Sequence, residues 1–300
     1  MFLFEKMRNQ EKYSLQEVLY VEKNLLVDTN MISRIKGNGW YNDYIRGKEC
    51  FYDIDGTILE ERIKFVSEFR DLLNRSNIQM VSECRREKKR VISLLQNQLK
   101  YLDQRNHYSS SEPENKRLMK QLIFEFKQLD ECARQNEYNP ADARRLKYFF
   151  ELTKTISRNS NAKKDFSERY HNNNKNRTDT HADEKMVAVG LYSSIIENKR
   201  MGILTRDSDL YRLLISAQLH LMHLGNKPIS DGIHRLLINN PVLIYYFPKS
   251  NITEGVIRTN EILGNHPKNL QWEFEHKQRD LKKEINTHLE NGGIIDALKN

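Results

Sequence analysis

Carboxylate side chains stand where predicted strands end or predicted helices begin. Two short apolar segments end close to acids, and two further acids lie near the starts of helical segments. Several carboxylates in one crevice repel each other unless a cation lies among them, and oxygen ligands select the hard cations Mg²⁺ or Mn²⁺. Such an ion activates a water molecule and stabilises the leaving oxygen of a phosphodiester, which is the chemistry of a nuclease. The candidate residues are Asp28, Glu61, Asp183, Asp207 and Asp209.

The elements that would position these acids follow from hydrophobic patterning. Short apolar runs predict buried strands at residues 24–28, 50–54, 201–204 and 242–247. A strongly apolar helix is predicted at 182–196, and a second helix at 210–224. This alternation predicts an α/β fold with a parallel sheet flanked by helices, in which functional groups gather at the carboxyl ends of the strands.

The middle of the chain has a different pattern from its flanks. Apolar stripes with gaps of three, four or seven residues predict a large all-helical insertion at 63–156. Residues 157–180 contain six asparagines and few apolar side chains, which predicts a flexible loop. The polar segment at 253–300 predicts a helical C-terminal tail. The predicted α/β core is therefore discontinuous and comprises residues 1–62 and 181–252.

Four motifs resemble those of PIN domains, a family of metal-dependent ribonucleases. LLVDTN at 25–30 resembles their opening strand, and TILEE at 57–61 resembles the segment that carries their second acid. DEKMVA at 183–188 resembles the third acidic motif, and ILTRDSD at 203–209 resembles the strand-end motif with the last acids. The motifs follow the family's order, so they imply a PIN-like core. The long insertion between the second and third motifs departs from the family's pattern.

The resemblance also implies roles for these residues. One or two Mg²⁺ or Mn²⁺ ions would be held by Asp28, Glu61, Asp183 and Asp207, with Asp209 as an outer acid and Asn30 and Thr205 as hydrogen-bonding supports. An endoribonuclease is implied, in which an activated water attacks an RNA phosphate in line and leaves a 3′-hydroxyl and a 5′-phosphate. By the same analogy, we expect a toxin or defence nuclease. Its expected protein partners are an inhibitor, an effector or a second copy of the chain in a homo-oligomer. DNA is the second candidate substrate, because flap-type nucleases have a related acid-rich fold.

Several of these acids have competing interpretations. Glu83 and Glu87 also follow a short apolar stretch, and Glu61 is favoured over them for its Thr-Ile-Leu-Glu-Glu context. Asp28 and Asp209 could instead be a turn residue and a helix cap, respectively. Glu184 is expected to be an exposed helix residue.

Two other functions compete with the nuclease. DIDGT at 53–57 resembles the first motif of haloacid dehalogenase-type phosphatases, with Asp53 as nucleophile and Asp55 as acid–base. Only three residues of a strand precede Asp53, and no well-placed lysine or paired-acid motif completes that site. The other alternative is a catalytically inactive PIN-like module that binds RNA or acts as a scaffold.

Basic residues are concentrated in the predicted insertion. The chain of 300 residues has a net charge of +8, whereas residues 62–180 alone contain 26 Lys or Arg and 16 Asp or Glu, a net charge of +10. This excess favours a polyanionic partner, with RNA as the expected one. The predicted phosphate-binding track consists of Arg85, Arg86, Lys88, Lys89 and Arg90, although a helical run of this kind is also typical of a solvated face.

The composition argues against a membrane or secreted protein. The longest apolar run, at 242–247, has six residues, far fewer than the roughly 20 that a membrane span requires. Charges follow the first four apolar residues at once, which is the wrong order for a signal peptide. Cys50, Cys84 and Cys132 lie far apart without metal-site spacing, so we expect three free thiols and a cytoplasmic protein.

Overall fold

A computed structural model describes residues 13–32, 56–104, 112–159, 181–206, 208–224, 227–247 and 255–258. The described helices are α1 (Leu15–Val21), α2 (Gly56–Leu73), α3 (Ser82–Gln104), α4 (Glu112–Gln135), α5 (Ala143–Asn159), α6 (Ala182–Ile195), α7 (Ser208–Leu224) and α8 (Lys227–Asn239). The strands are β1 (Leu25–Val27), β2 (Ile78–Gln79), β3 (Met201–Thr205), β4 (Val242–Tyr246) and β5 (Gly255–Arg258). Within this part of the chain, no helix is long and apolar enough to cross a membrane.

The strands form one sheet in the order β2-β1-β3-β4-β5. Four strands are parallel, and β5 pairs antiparallel with β4 at the edge. The register of β3 and β4 runs from Met201 opposite Val242 to Thr205 opposite Tyr246. Every residue of β3 is buried, which a strand covered on both faces requires. The predicted α/β class with a parallel sheet and flanking helices is confirmed.

The chain divides into two compact units. The first unit comprises Met1–Leu26 and Asn139–Asn300, and the second comprises Val27–Tyr138. Strand β1 lies at this division, because Leu25 and Leu26 belong to the first unit and Val27 to the second. These boundaries differ from those expected from the sequence.

In the second unit, α2 and α4 lie side by side and run in the same direction. Arg70 of α2 donates to Glu125 of α4 at 2.6 Å, and further along the Cys132 thiol donates to Asn74 Oδ1 at 3.0 Å. Helix α3 also packs on α4, where Arg85 bonds Asp130 at 3.1 Å. The apolar stripes found in the sequence form the buried faces of these helices.

The insertion at 63–156 is not all-helical, because β2 lies within it. Leu73 and Met80 are seven residues apart, which matches two turns of a helix, yet the chain leaves α2 after Leu73 and enters the sheet at Ile78. Met80 then exchanges backbone hydrogen bonds with the segment after α4: its N–H donates to the Asn136 carbonyl and its carbonyl accepts from Tyr138, both at 3.0 Å. The seven-residue spacing between Leu73 and Met80 therefore imitates a helix, although strand β2 lies between them.

In the first unit, a capping box begins α1. The Ser14 hydroxyl accepts from the Glu17 N–H at 3.2 Å, and the Glu17 carboxylate accepts from the Ser14 N–H at 2.5 Å. Helix α6 is buried on nearly all sides, as its continuous apolar sequence predicted. Gly190 on this helix allows close packing on the sheet, since a Cβ there would lie 2.8 Å from Val242 Cγ1.

Two further expectations need correction. Residues 157–159 belong to α5 rather than to the predicted loop, and Gly255–Arg258 is a strand rather than part of the predicted helical tail. Helix α5 begins at Ala143, where Asp142 Oδ1 caps it by accepting from the Arg145 N–H at 3.0 Å. The predicted strand at 50–54 and residues 160–180 and 259–300 lie outside the described residues.

Candidate functional site

Asp28 directly follows β1 and is buried, with 4% of its surface exposed. Its Oδ1 accepts from the Asn30 N–H at 3.3 Å and from the Thr29 hydroxyl at 3.5 Å. The Met31 N–H donates to the Asp28 carbonyl at 3.1 Å, and these bonds turn the chain into a 3₁₀ helix at Thr29–Ile32. The carboxylate is thus held by the turn that ends the strand, and Asn30 supports it through its backbone.

Glu61 lies in the second turn of α2, and its side chain is exposed. Asp28 is buried, so the two acids differ in exposure, although both belong to the second unit. Helix α2 precedes β2 in the chain, so no described strand ends immediately before Glu61. Helix α2 does contact the 3₁₀ helix that follows Asp28, so what weighs against Glu61 as the partner of Asp28 is the exposure of its side chain.

Glu83 fits that position better. It stands in the first turn of α3, three residues after Met80, and only 5% of its surface is exposed. The Ser82 hydroxyl donates to Glu83 Oε2 at 2.8 Å. Because β1 and β2 are neighbouring parallel strands, Asp28 and Glu83 follow the same edge of the sheet in the second unit. Glu83 is one of the alternatives that the sequence offers, and its place after a strand becomes evident only once β2 is known.

Asp183 lies in the first unit, in the first turn of α6, and is half-buried. Its neighbour Glu184 is buried, so the expectation of an exposed residue there is wrong. Glu184 Oε1 accepts from the Ser157 hydroxyl at 2.7 Å, and its backbone carbonyl accepts from the Thr153 hydroxyl at 2.9 Å. These bonds join the start of α6, which carries Asp183, to α5.

The strand-end motif after β3 is described only in part. Thr205 is the last residue of β3 and is buried, and its carbonyl accepts from the Phe247 N–H at 2.9 Å. Asp207 lies outside the described residues, and Asp209 is placed in the first turn of α7 without a described side chain. Asp53 and Asp55 of the competing phosphatase motif also lie outside them.

The described carboxylates suit a hard cation in type, because Asp28 and Glu83 offer only oxygen ligands. In the described part of the chain, which omits Asp207 and the Asp209 side chain, no three His, Cys, Asp or Glu residues are grouped closely enough to hold a metal ion. A complete ligand set thus needs acids beyond this pair, and the set implied by the resemblance stays a prediction.

The predicted basic track does not form one exposed surface. Lys88 is fully buried with its Nζ 2.6 Å from Met80 Sδ, so its assignment to a surface track is wrong. Arg85 is half-buried and pairs with Asp130 at 3.1 Å and with Glu137 at 3.7 Å. Arg86 and Lys89 are exposed, and the Arg90 side chain is outside the description. Consecutive residues of a helix point in different directions, so basic residues that are adjacent in the sequence do not share one surface.

Cys84 and Cys132 are buried and free, while Cys50 lies outside the described residues. Burial raises the pKa of the Cys132 thiol, so it stays protonated and unreactive at neutral pH.

No family model, curated protein or solved structure matches this chain. The PIN resemblance therefore stands on the four motifs quoted above. The sheet is consistent with it at the level of an α/β fold with four parallel strands.

Proposed function

We propose that the protein is a metal-dependent endoribonuclease with a PIN-like carboxylate site. The observation that carries the proposal is the placement of Asp28 and Glu83. Both are buried acids of the second unit, and they follow β1 and β2, two adjacent parallel strands. Carboxylate oxygens at the carboxyl ends of adjacent parallel strands are the ligands that a divalent cation such as Mg²⁺ prefers.

Within this proposal, Glu83 replaces Glu61 in the ligand set. Glu61 is exposed on α2, whereas Glu83 is buried in the first turn of the helix that follows β2, the strand next to β1. Asp183 and Asp207, which the resemblance implies as further ligands, and Asp209, which it implies as an outer acid, belong to the first unit, and their roles stay predictions. Asn30 would support Asp28 by hydrogen bonding, and Thr205 would support the acids that follow β3.

Mg²⁺ or Mn²⁺ would supply an activated water and neutralise charge on the scissile phosphate. The protein's own contribution is orientation. The Asn30 N–H and the Thr29 hydroxyl hold one oxygen of Asp28, and the Ser82 hydroxyl holds one oxygen of Glu83. Each carboxylate is thus fixed before a substrate binds, which limits the reorganisation that the reaction requires.

RNA cleavage by single variants tests the proposal. We expect Asp28→Asn and Glu83→Gln to lose Mn²⁺-dependent cleavage of single-stranded RNA by about 100-fold or more, because each removes a charge that holds the metal. Glu61→Gln is the matched control, since it makes the same change at an exposed site, and it should cleave like wild type. Products should carry 3′-hydroxyl and 5′-phosphate ends.

Three outcomes separate the alternatives. Unchanged cleavage in both Asp28→Asn and Glu83→Gln would reject the nuclease site. Loss of cleavage in Glu61→Gln alone would restore the original assignment of the second acid. RNA binding by the wild type without Mn²⁺-dependent cleavage would instead identify an inactive RNA-binding module. Thermal unfolding of each variant checks that it is folded.

A further inference from the structure

Helix α4 of the second unit has one face that packs on α2 and α3 and an opposite face that is exposed. At the centre of the exposed face, five residues lie within two turns, and we call them the α4 face: Lys120, Gln121, Phe124, Lys127 and Gln128. Phe124 has 55% of its surface exposed. The helical repeat places Lys120 one turn before its ring and Lys127 one turn after it.

On the exposed side of α4, the arginines near the two ends of the helix are paired, whereas the lysines at its centre are not. Arg117 bonds Glu114 at 2.5 Å, and Arg134 bonds Glu131 at 2.6 Å, so both arginines are neutralised within the helix. Lys120 and Lys127 form no ion pair or hydrogen bond with any residue that the structure describes. The net positive charge of the exposed side of α4 is therefore centred on Phe124.

The polar surroundings of Phe124 indicate what binds there. It is the only exposed large hydrophobic residue of α4 among those described, and its neighbours on the α4 face are two lysines and two glutamines. A protein interface is built around a contiguous apolar or aromatic core, which is absent from this face as described. An exposed aromatic ring between cations is instead the arrangement that binds single-stranded nucleic acid, by base stacking and phosphate contacts.

We propose that the α4 face binds single-stranded RNA, with a base stacked on Phe124 and phosphates held by Lys120 and Lys127. The two lysines are about 10 Å apart along the helix axis, on either side of the ring. A nucleotide stacked on Phe124 therefore has a cation near each neighbouring phosphate. The choice of RNA rests on the proposed ribonuclease function.

Fluorescence anisotropy with labelled single-stranded RNA, in EDTA to prevent cleavage, measures this binding in the full chain. Lys120→Gln with Lys127→Gln should weaken binding and reduce the slope of log affinity against log salt by about 0.7 per lysine. The pair Lys64→Gln with Lys147→Gln removes two exposed cations elsewhere and should keep the wild-type slope.

Three substitutions of Phe124 separate stacking from general apolar contact. Phe124→Ala and Phe124→Leu should each weaken RNA binding by about 5- to 150-fold, the range for one stacked base, without changing the salt slope. Phe124→Trp should bind at least as tightly as wild type. Inorganic polyphosphate, used as a competitor, lacks bases, so its affinity should depend on the lysines and not on Phe124. Tyr20→Ala, at an exposed aromatic of the first unit, should bind RNA like wild type.

The results that would overturn the inference differ from those that would overturn the nuclease. Wild-type affinity in the lysine pair or in Phe124→Ala rejects the α4 face, even if RNA is cleaved normally. Full binding by Phe124→Leu replaces stacking with an apolar contact and also rejects it. Phe124-dependent binding to vesicles of anionic lipid, with RNA binding unaffected, would assign the face to a membrane instead. If the wild type binds RNA through Phe124 but does not cleave it, only the nuclease is rejected.

Discussion

Burial alone does not identify a catalytic acid in this protein. Glu22 and Glu184 are as buried as Asp28, yet each has a structural role. Glu22 Oε1 accepts from the Tyr245 hydroxyl and from Arg200, and Glu184 accepts from Ser157. Buried carboxylates need such partners because desolvation is costly. What distinguishes Asp28 is its place at the end of a parallel strand.

At the residue scale, Gly202 provides a prediction for stability. A Cβ at this position in β3 would lie 2.6 Å from Leu25 Cδ2 and 3.2 Å from the Tyr245 ring, which crosses the glycine to reach Glu22. Gly202→Ala should therefore lower the free energy of unfolding by about 1–3 kcal/mol, the usual range for overpacking. Urea denaturation measures the change.

Gly56→Ala is the matched control for that substitution. Its nearest contacts would be 3.2 Å from Asn115 Oδ1 and 3.4 Å from Leu118 Cδ1, which are longer than the 2.6 Å contact at Gly202, so the loss of unfolding free energy should be smaller. If the two variants had equal free energies of unfolding, the residues around Gly202 would have moved aside for the added methyl group.

At the element scale, hydrogen bonds between α5 and α6 position the start of α6. The Ser157 hydroxyl donates to the buried Glu184 carboxylate at 2.7 Å. Ser157→Ala should cost about 1–3 kcal/mol in unfolding free energy, because it removes a donor from a buried charged acceptor. The control Ser93→Ala deletes an exposed hydroxyl that only bonds its own helix, so it should cost much less. A denaturation midpoint for Ser157→Ala that equals that of Ser93→Ala would contradict this role.

Sequence patterning located the long apolar elements and missed the shortest one. Strands β1, β3 and β4 and helix α6 lie within a residue or two of their predicted bounds, because each is a continuous apolar run. Strand β2 has only two residues, and its spacing from Leu73 imitates a helix. The same error affected the proposed second acid: Asp28 was placed correctly after β1, whereas Glu83 could be proposed only once β2 was known.

At the scale of the whole molecule, net charge proved less informative than the pairing of individual charges. Residues 62–180 have a net charge of +10, but Arg70 and Arg85 are paired within the second unit and Lys88 is buried. A count of basic residues therefore overstates the charge available to a polyanion. The cations available to a polyanion are those that lie on an exposed face and form no ion pair, and only the folded structure shows which these are.

Buried tyrosines give the first unit a predicted sensitivity to alkali. Burial raises the pKa of Tyr211 to about 12, and burial also raises the pKa of Tyr192 and of Tyr245. In the unfolded chain a tyrosine ionises near pH 10, so the folded state retains protons that the unfolded state has lost. The stability contributed by these phenols is complete below about pH 10 and is lost as the pH rises toward about 12.

Tyr211→Phe should therefore reduce the loss of stability between pH 10 and about 12, because it removes one of the phenols that must ionise on unfolding. Urea denaturation at several pH values, followed by circular dichroism, measures this dependence. Tyr20→Phe changes a phenol that is 91% exposed, so it should keep the wild-type dependence. Identical curves for wild type and Tyr211→Phe would mean that Tyr211 reaches solvent before the unit unfolds, and would contradict this prediction.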